Sequence, residues 1–449
     1  MAQRGLVIAG LSSGSGKTTI TLGLLRALTR QYGSVPPLSD APVIGAAKTG
    51  PDYIDCAFLG AACHTTAINL DSYAMPPDMI IDLAARQPCE TLIVEGVMGL
   101  FDGTVAGRGS TAELAQTLGL PVILVIDARH QAQTAAAIAA GLGAQLSRAG
   151  SPCHLAGVIL NRIASPRHLT LIADALAEHK VRLFGHLPPC PDITVPSRHL
   201  GLVQAGDLAA TGDLEGIIDA AADLIETHID CTALYDAAGP LPHPKPNHVP
   251  PSFLPIPGQN IAIAYDPAFG FAYAHMLEHW REAGATIHPF SPLNDEAPHS
   301  GADFIFLPGG YPELHLPVLS SAQRFRSTMQ QAAARGTAIY GECGGYMTLG
   351  QRIIDANGTA FEMLGLLDLE TSFAKRKLHL GYRQLTPTGH AAWPPQNATP
   401  LIGHEFHYTQ AISERGTPLF TARDAFDKEL GQIGLVQGSV AGSYAHLIA

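Results

Sequence analysis

The stretch LVIAGLSSGSGKTTITLGLLRALT, residues 6–29, decides the fold of the first half of the chain. Leu6–Ala9 is an apolar run of strand length, Gly10–Thr19 (GLSSGSGKTT) is a glycine-rich loop, and Ile20–Thr29 has the Ala/Leu content of a helix. Strand, loop and helix in that order make a phosphate cradle. Backbone amides converge at the helix N-terminus, Lys17 adds a point charge on the β- and γ-phosphates, and the Thr18 hydroxyl can ligate Mg²⁺. Gly14, Gly16, Lys17, Thr18 and Thr19 are the candidate residues for a nucleoside triphosphate. The first glycine of the usual spacing falls on Leu11, so the loop is one residue longer than the standard pattern.

Outward from this loop, Val43–Lys48, Thr91–Glu95, Val122–Asp127 and Gly157–Asn161 read as buried strands separated by helical stretches, the signature of a parallel, doubly wound sheet. Eight prolines crowd Pro240–Pro257, where missing amide donors and fixed φ suit an extended linker. The pattern then restarts: Ile261–Tyr265, a helix through Phe271–Ala283, then Thr286–Phe290, Phe304–Leu307 and Ala338–Tyr340. The expected architecture is α/β with two doubly wound domains, 1–238 and 258–449, joined by a linker at 239–257.

Composition narrows the function. Of 449 residues, 46% are apolar and 15% charged, with net charge −12 and no Lys/Arg run resembling a polyphosphate-binding tail, which disfavours a nucleic-acid scaffold. No stretch approaches the roughly 18 apolar residues of a membrane span, and the first strand begins too early for a signal peptide, so a cytoplasmic protein is expected. Seven cysteines without a Cys-x-x-Cys pair give little support to disulfides or structural zinc.

Open α/β sheets collect ligands at the carboxyl ends of their strands. Asp52 and Asp55 in KTGPDYID, and Glu95 and Asp102 in VEGVMGLFDG, fall there. Magnesium takes oxygen ligands and keeps waters, so two of these acids with Thr18 and phosphate oxygens suffice; read singly, each Asp is equally a turn or cap residue. Asn161, ending GVILNR, can read an adenine edge with its amide or simply close a turn.

In the second half, GECGGYM follows the strand Ala338–Tyr340 and places Cys343 on a tight strand-to-helix turn among Gly341, Gly344 and Gly345. Such a turn presents a nucleophile, while the following amide and the helix dipole favour thiolate and oxyanion. The turn FLPGGYPE, Phe306–Glu313, can aim a second amide, from Gly309 or Gly310. The other cysteines, Cys56, Cys63, Cys89, Cys153, Cys190 and Cys231, read as buried fillers. An imidazole partner for the thiol is sought among His404 and His407 in GHEFHY and His446 in GSYAHLIA, and spacing does not choose between His407 and His446. HEFH is one residue short of a helical zinc motif.

Taken together, SSGSGKTT, KTGPDYID, NLD at Asn69–Asp71, EGVMGLFDG, GVILNR, PSRHLGL, YDPAFGFAY, FSPL, LPGGYPELH, ECGGYM, KLHLGYR and GHEFHY resemble the a,c-diamide synthases of corrin-ring biosynthesis, over nearly the whole chain. The first half is similar to dethiobiotin synthetase, whose loop has the same extra residue. The second is similar to class I glutamine amidotransferases, which implies a flavodoxin-like fold.

The resemblance implies that Cys343 attacks the glutamine amide with His446 as its base. It also implies amides of Gly344 and Gly310 at the oxyanion, Thr18, Asp52 and Glu95 around Mg²⁺, and Lys17 on phosphate. Asp55 and Asp102 would lie near the carboxylate being activated. Many class I amidotransferases carry a Glu two residues after the His; here that position is Ile448. The implied ligands are ATP, Mg²⁺, glutamine and a corrinoid polycarboxylate, with a homodimer as the expected assembly. Tyr53, Arg198, Arg376 and Arg383 are the expected substrate contacts, supported by Lys375, Lys377 and His199, because arginine clamps carboxylates in two-point geometry. The SSGSGKT loop favours the cobalt-free hydrogenobyrinic acid, with cobyrinic acid as the alternative. Of the rivals, cobyric acid synthase carries a different segment where KTGPDYID stands, CTP synthase has Gln where Met347 stands, and a partition-type ATPase switch would have no use for Cys343.

Overall fold

The computed structural model describes residues 3–33, 44–148, 150–190, 213–244, 254–396 and 400–449. Arg198, His199 and the PSRHLGL motif lie outside the described residues. The chain divides into two compact units, 1–251 and 252–449.

In the first unit the strands are β1 (Arg4–Gly10), β2 (Ile44–Thr49), β3 (Ile68–Leu70), β4 (Thr91–Glu95), β5 (Val122–Asp127), β6 (Leu155–Asn161), β7 (Leu183–His186) and β8 (Gly239–Pro240). The helices are α1 (Lys17–Tyr32), α2 (Tyr53–Cys63), α3 (Pro77–Ala85), α4 (Thr111–Leu118), α5 (Thr134–Leu146), α6 (Pro166–Glu178), α7 (Asp213–His228) and α8 (Cys231–Asp236). The sheet runs β3-β2-β4-β1-β5-β6-β7 with every pairing parallel, as expected from the alternating sequence. Leu6, Val7, Ile8 and Ala9 are fully buried because β1 is flanked on both sides by strands. The Pro-rich stretch begins inside this unit: Gly239–Pro240 pairs antiparallel with β1, and the Leu241 amide donates to the Gln3 carbonyl at 2.9 Å.

From β1 the chain crosses to one side of the sheet and, after β4, to the other, so the crevice lies at the carboxyl ends of these strands. The loops after β1, β2, β4 and β6 carry the candidate residues to that edge. Among the described residues no helix is long and apolar enough to cross a membrane.

The second unit starts as expected. Strands β9 (Asn260–Ala264), β10 (Thr286–Phe290), β11 (Phe304–Leu307) and β12 (Ala338–Glu342) are parallel, with helices α9 (Ala274–Glu282), α10 (Leu316–Ser321), α11 (Gln323–Ala334) and α12 (Gly344–Leu349). The expected helix at Phe271 begins later because Phe271 forms a β-bridge with Gly309.

Beyond α12 the structure departs from the expected alternation. Three short strands, β13 (Arg352–Ile354), β14 (Ala360–Glu362) and β15 (Leu369–Ser372), precede β16 (His379–Pro387), β17 (Leu401–His407), β18 (Gln410–Glu414), β19 (Thr417–Asp424), β20 (Glu429–Gln437), β21 (Val440–Ser443) and β22 (His446–Leu447). They extend the parallel core into a ten-stranded sheet, β10-β9-β11-β12-β21-β20-β19-β16-β17-β22, antiparallel from β21 onward, beside a small sheet β14-β13-β15-β18. The period-two pattern of LIGHEFH, buried at every other residue, is that of a half-covered antiparallel strand.

Candidate active site

At the phosphate loop, Gly14 and Gly16 have φ of 75° and 95°. A Cβ on Gly16 would also collide with the Asn161 amide, so glycine is required there on two counts. Gly16 caps α1 without a side-chain acceptor, which leaves the first-turn amides to a ligand. Thr18 and Thr19 begin that helix. Behind the loop, Asn161 Nδ2 donates to the Ser15 carbonyl at 2.9 Å, and Arg162, at φ 61°, donates from Nη1 to the Gly14 carbonyl at 3.2 Å and to Asp127 Oδ2 at 2.7 Å. Two consecutive residues after β6 therefore brace the loop.

The Lys17 ammonium donates to the Ser12 and Met98 carbonyls at 3.0 and 2.7 Å. Burial lowers its pKa, reinforced by Lys48. The Thr18 hydroxyl donates to Glu95 Oε1 at 2.6 Å, and Lys48 Nζ lies between Glu95 Oε1 at 2.9 Å and Asp55 Oδ2 at 2.6 Å. Burial alone would strip the Lys48 proton, but the charges of Glu95, Asp55 and Asp52 overcome it and hold the ammonium charged. Glu95 is fully buried and its carboxyl is raised by burial, against Lys48 and Thr18.

Asp52 caps α2, its Oδ1 accepting from the Ile54 and Asp55 amides, and burial followed by the Asp55 charge pushes it up to about 7. Asp102 Oδ2 accepts from the Gly99 amide at 2.9 Å. Both acids thus have a local structural partner and still stand at the ligand edge. Tyr53 opens α2 and is buried.

In the second unit Cys343 leaves β12 with φ 46° and ψ −104° and precedes α12. Its amide donates to the Ser443 carbonyl at 2.9 Å and its carbonyl accepts from the Met347 amide at 3.0 Å. A Cβ on Gly309 would collide with the His446 ring, 2.8 Å from Nε2, and lie 3.3 Å from Cys343 Cβ. Imidazole and nucleophile therefore flank one glycine. A Cβ on Gly344 would lie 3.0 Å from the Gly310 amide nitrogen, so the two expected oxyanion donors come from packed neighbours.

The geometry separates the histidines that spacing left open. His407 stacks on Tyr444 and His379, with centroids 4.0 and 4.8 Å apart, and its Nδ1 lies 3.2 Å from the Thr409 carbonyl. His446 is the imidazole against Gly309. His404 and His407 lie on a strand, and among the described residues no group of three or more His, Cys, Asp or Glu could hold a metal.

One expectation is corrected. The turn was expected to present Cys343 and favour its thiolate, but the side chain is only 4% exposed. Burial, then the charges of Glu313, Glu405 and Glu342, push the thiol up, against one hydrogen bond from the Gly344 amide. His446 is pushed down to about 3 by burial, His404 and His407, against a hydrogen bond with the Phe271 backbone. Glu342 is pushed up to about 8 by burial; its Oε1 accepts from the Leu447 amide at 3.0 Å and its Oε2 lies 3.7 Å from His446 Nδ1. Of the other cysteines five are buried, while Cys190 is half-buried, and all seven are free thiols.

Residues 6–203 match the family model described as the CobQ/CobB/MinD/ParA nucleotide binding domain, and residues 260–449 match the CobB/CobQ-like glutamine amidotransferase domain. The hydrogenobyrinate a,c-diamide synthase of Brucella anthropi is 46% identical, with 99% of this chain and 98% of the relative covered. Those of Rhizobium meliloti and Rhodobacter capsulatus are 46% and 45% identical, each over 99% of both chains. The chain belongs to the hydrogenobyrinate a,c-diamide synthase family.

Membership makes the chain an ATP-dependent, glutamine-hydrolysing carbon–nitrogen ligase with a nucleotide-binding domain and a glutamine amidotransferase domain. Of the expected cationic substrate contacts, Arg376 is exposed. Arg383 is 12% exposed and engaged, donating from Nε and Nη2 to Glu405 Oε2 at 3.0 and 2.7 Å. Sequence reasoning assigned no role to Lys48, Arg162, Glu342 or Glu313. All four stood in quoted motifs, Lys48 near the end of β2 and Glu342 immediately before the nucleophile. A charged residue at the end of a buried strand was the available signal.

Proposed function

We propose that the protein amidates the a and c acetate carboxylates of hydrogenobyrinic acid with ATP and glutamine. The observation that carries this is the identity to hydrogenobyrinate a,c-diamide synthases over 99% of the chain, which covers the phosphate loop and the thiol site together. The ATP-dependent half is assigned to 1–238 and the glutaminase half to 258–449.

A carboxylate is a poor acyl donor because oxide would have to leave, so the γ-phosphate of ATP is transferred to form an acyl phosphate that ammonia attacks. Lys17 and the α1 amides offset phosphate charge as it meets an anionic substrate. Asp55 and Asp102 flank the carboxylate being activated, and Asn161 contributes to nucleotide binding from behind the loop. Thr18, Asp52 and Glu95 fit a bound Mg²⁺: Glu95 Oε2 is buried without a hydrogen-bond partner, and Thr18 already touches the other oxygen. When bound, the ion would neutralise charge on the β- and γ-phosphates.

In the other half Cys343 attacks the glutamine amide carbonyl, His446 takes the thiol proton and passes it to departing ammonia, and the Gly344 and Gly310 amides receive the oxyanion. Water then releases glutamate from the thioester. With Ile448 where many class I enzymes carry an acid, Glu342 is the carboxylate that orients His446, on the support of its 3.7 Å approach to Nδ1. Tyr53, at the start of α2, contacts the corrinoid. Seven free thiols accord with a cytoplasmic setting, and a homodimer remains the proposed assembly.

The test supplies purified protein with ATP, Mg²⁺, glutamine and either hydrogenobyrinic or cobyrinic acid. The expected product is the diamide of the cobalt-free acid, with two ADP per ring. Faster turnover of cobyrinic acid would move the assignment to the cobalt-containing ring, and no amide from either would overturn it.

A further inference from the structure

Glutamine reaches a thiol as a zwitterion, and its α-ammonium group, once removed from water, needs an anion. Three carboxylates bear on Cys343: Glu313, Glu405 and Glu342. Two are engaged. Glu405 accepts two hydrogen bonds from Arg383, and Glu342 accepts from the Leu447 amide while its other oxygen faces His446 Nδ1.

Glu313 differs. It sits in a short 3₁₀ turn, Pro312–Leu314, and the Pro312 ring lies 2.8 Å from where a Cβ on Gly344 would be, so the turn packs directly on the start of the nucleophile helix. Glu313 Oε2 is closed to solvent and has no hydrogen-bond partner. Such an oxygen is costly to leave unpaired. Burial pushes the carboxyl up to about 7, against a hydrogen bond from its own backbone amide and the charge of Arg376.

We infer that Glu313 is the anchor for the α-ammonium group of glutamine, its Oε2 accepting a charge-assisted hydrogen bond from that group while the side-chain amide lies at Cys343. The inference rests on the glutaminase reading above.

The experiment compares glutamine with 4-carbamoylbutanoate, the same molecule without its α-amino group, as substrates for amide hydrolysis. Wild-type protein should prefer glutamine strongly in kcat/KM. Glu313→Gln should raise KM for glutamine about 10- to 100-fold with kcat changed less than about threefold, and leave 4-carbamoylbutanoate nearly unaffected, so that the preference collapses. Equal losses with both substrates, or a preference that survives, would overturn the assignment. Thermal unfolding of the same variant reports whether its second unit is folded; if it is not, Glu313→Asp, which keeps the charge, must retain the preference for glutamine. If wild-type protein hydrolyses no glutamine, the glutaminase reading itself fails, which is a separate outcome.

Discussion

Around the phosphate loop burial pushes Lys17, Asp52 and Glu95 towards their neutral forms, yet Lys48 is held charged between Glu95 and Asp55, whereas around Cys343 the thiol, His446, Glu342 and Glu313 are all pushed that way with no such ion pair held among them. The contrast follows from the two chemistries. Phosphoryl transfer begins with highly charged reactants, so compensating charge must be in place beforehand. Amide hydrolysis begins from a neutral bond and needs only that protons move on demand, and a site neutral at rest avoids the desolvation of a buried ion pair.

The largest test of this division is Cys343→Ala. Glutamine-driven amidation should fall by about 10³-fold or more while amidation from ammonium salts stays within about twofold. Loss of both would mean that the two sites cannot be separated. Lys17→Met should break the other half, lowering amidation from either nitrogen source by about 10²-fold or more while glutamine hydrolysis continues. Gly309→Ala sharpens the comparison inside the thiol site: its Cβ would displace the His446 ring, so kcat for glutamine hydrolysis should fall about 10- to 100-fold with ammonium-driven amidation intact.

Smallest is a difference in acid sensitivity. His275 and His404 are pushed down to about 4, and His407 and His446 to about 3, by burial in the second unit. Unfolded, each binds a proton near 6.5. Through these four imidazoles the unfolded unit holds more protons between about 6.5 and 3 and stability falls as pH drops, an effect only partly offset by Glu342 and Glu313, which are pushed up to about 8 and 7 and hold protons in the folded state. Asp52 in the first unit, pushed up to about 7, has the opposite sign: the folded state holds the proton, and that contribution is lost as pH rises from 3.8 towards 7. Thermal unfolding at pH 7 and 5 should show the second unit's transition moving down further than the first's; the reverse order would contradict the burial of these imidazoles.

The first unit was legible because its signals are local. Strand, glycine loop and helix are consecutive, and each acid ends or closely follows an apolar run of strand length. Cys343 was legible for the same reason. The antiparallel half of the second unit was not, because strands such as HLGYRQLTP pair with partners well removed in sequence, and their alternation is interrupted by glycine and charge. His446 could be chosen over His407 only by resemblance, since what separates them is a pairing between β17 and β22. Burial of the thiol was missed because a glycine-rich turn suggests exposure, and the residues against it, Gly309 and Phe406, come from two distant segments.

Oxidation by peroxide starts from the sulfur anion and needs access to it. A cysteine kept protonated and dry between turnovers should therefore form sulfenic acid slowly, a rate measurable as residual glutaminase after a peroxide dose. The closed turn at Cys343 would then let the enzyme sit through periods of oxygen stress without its glutaminase half being destroyed.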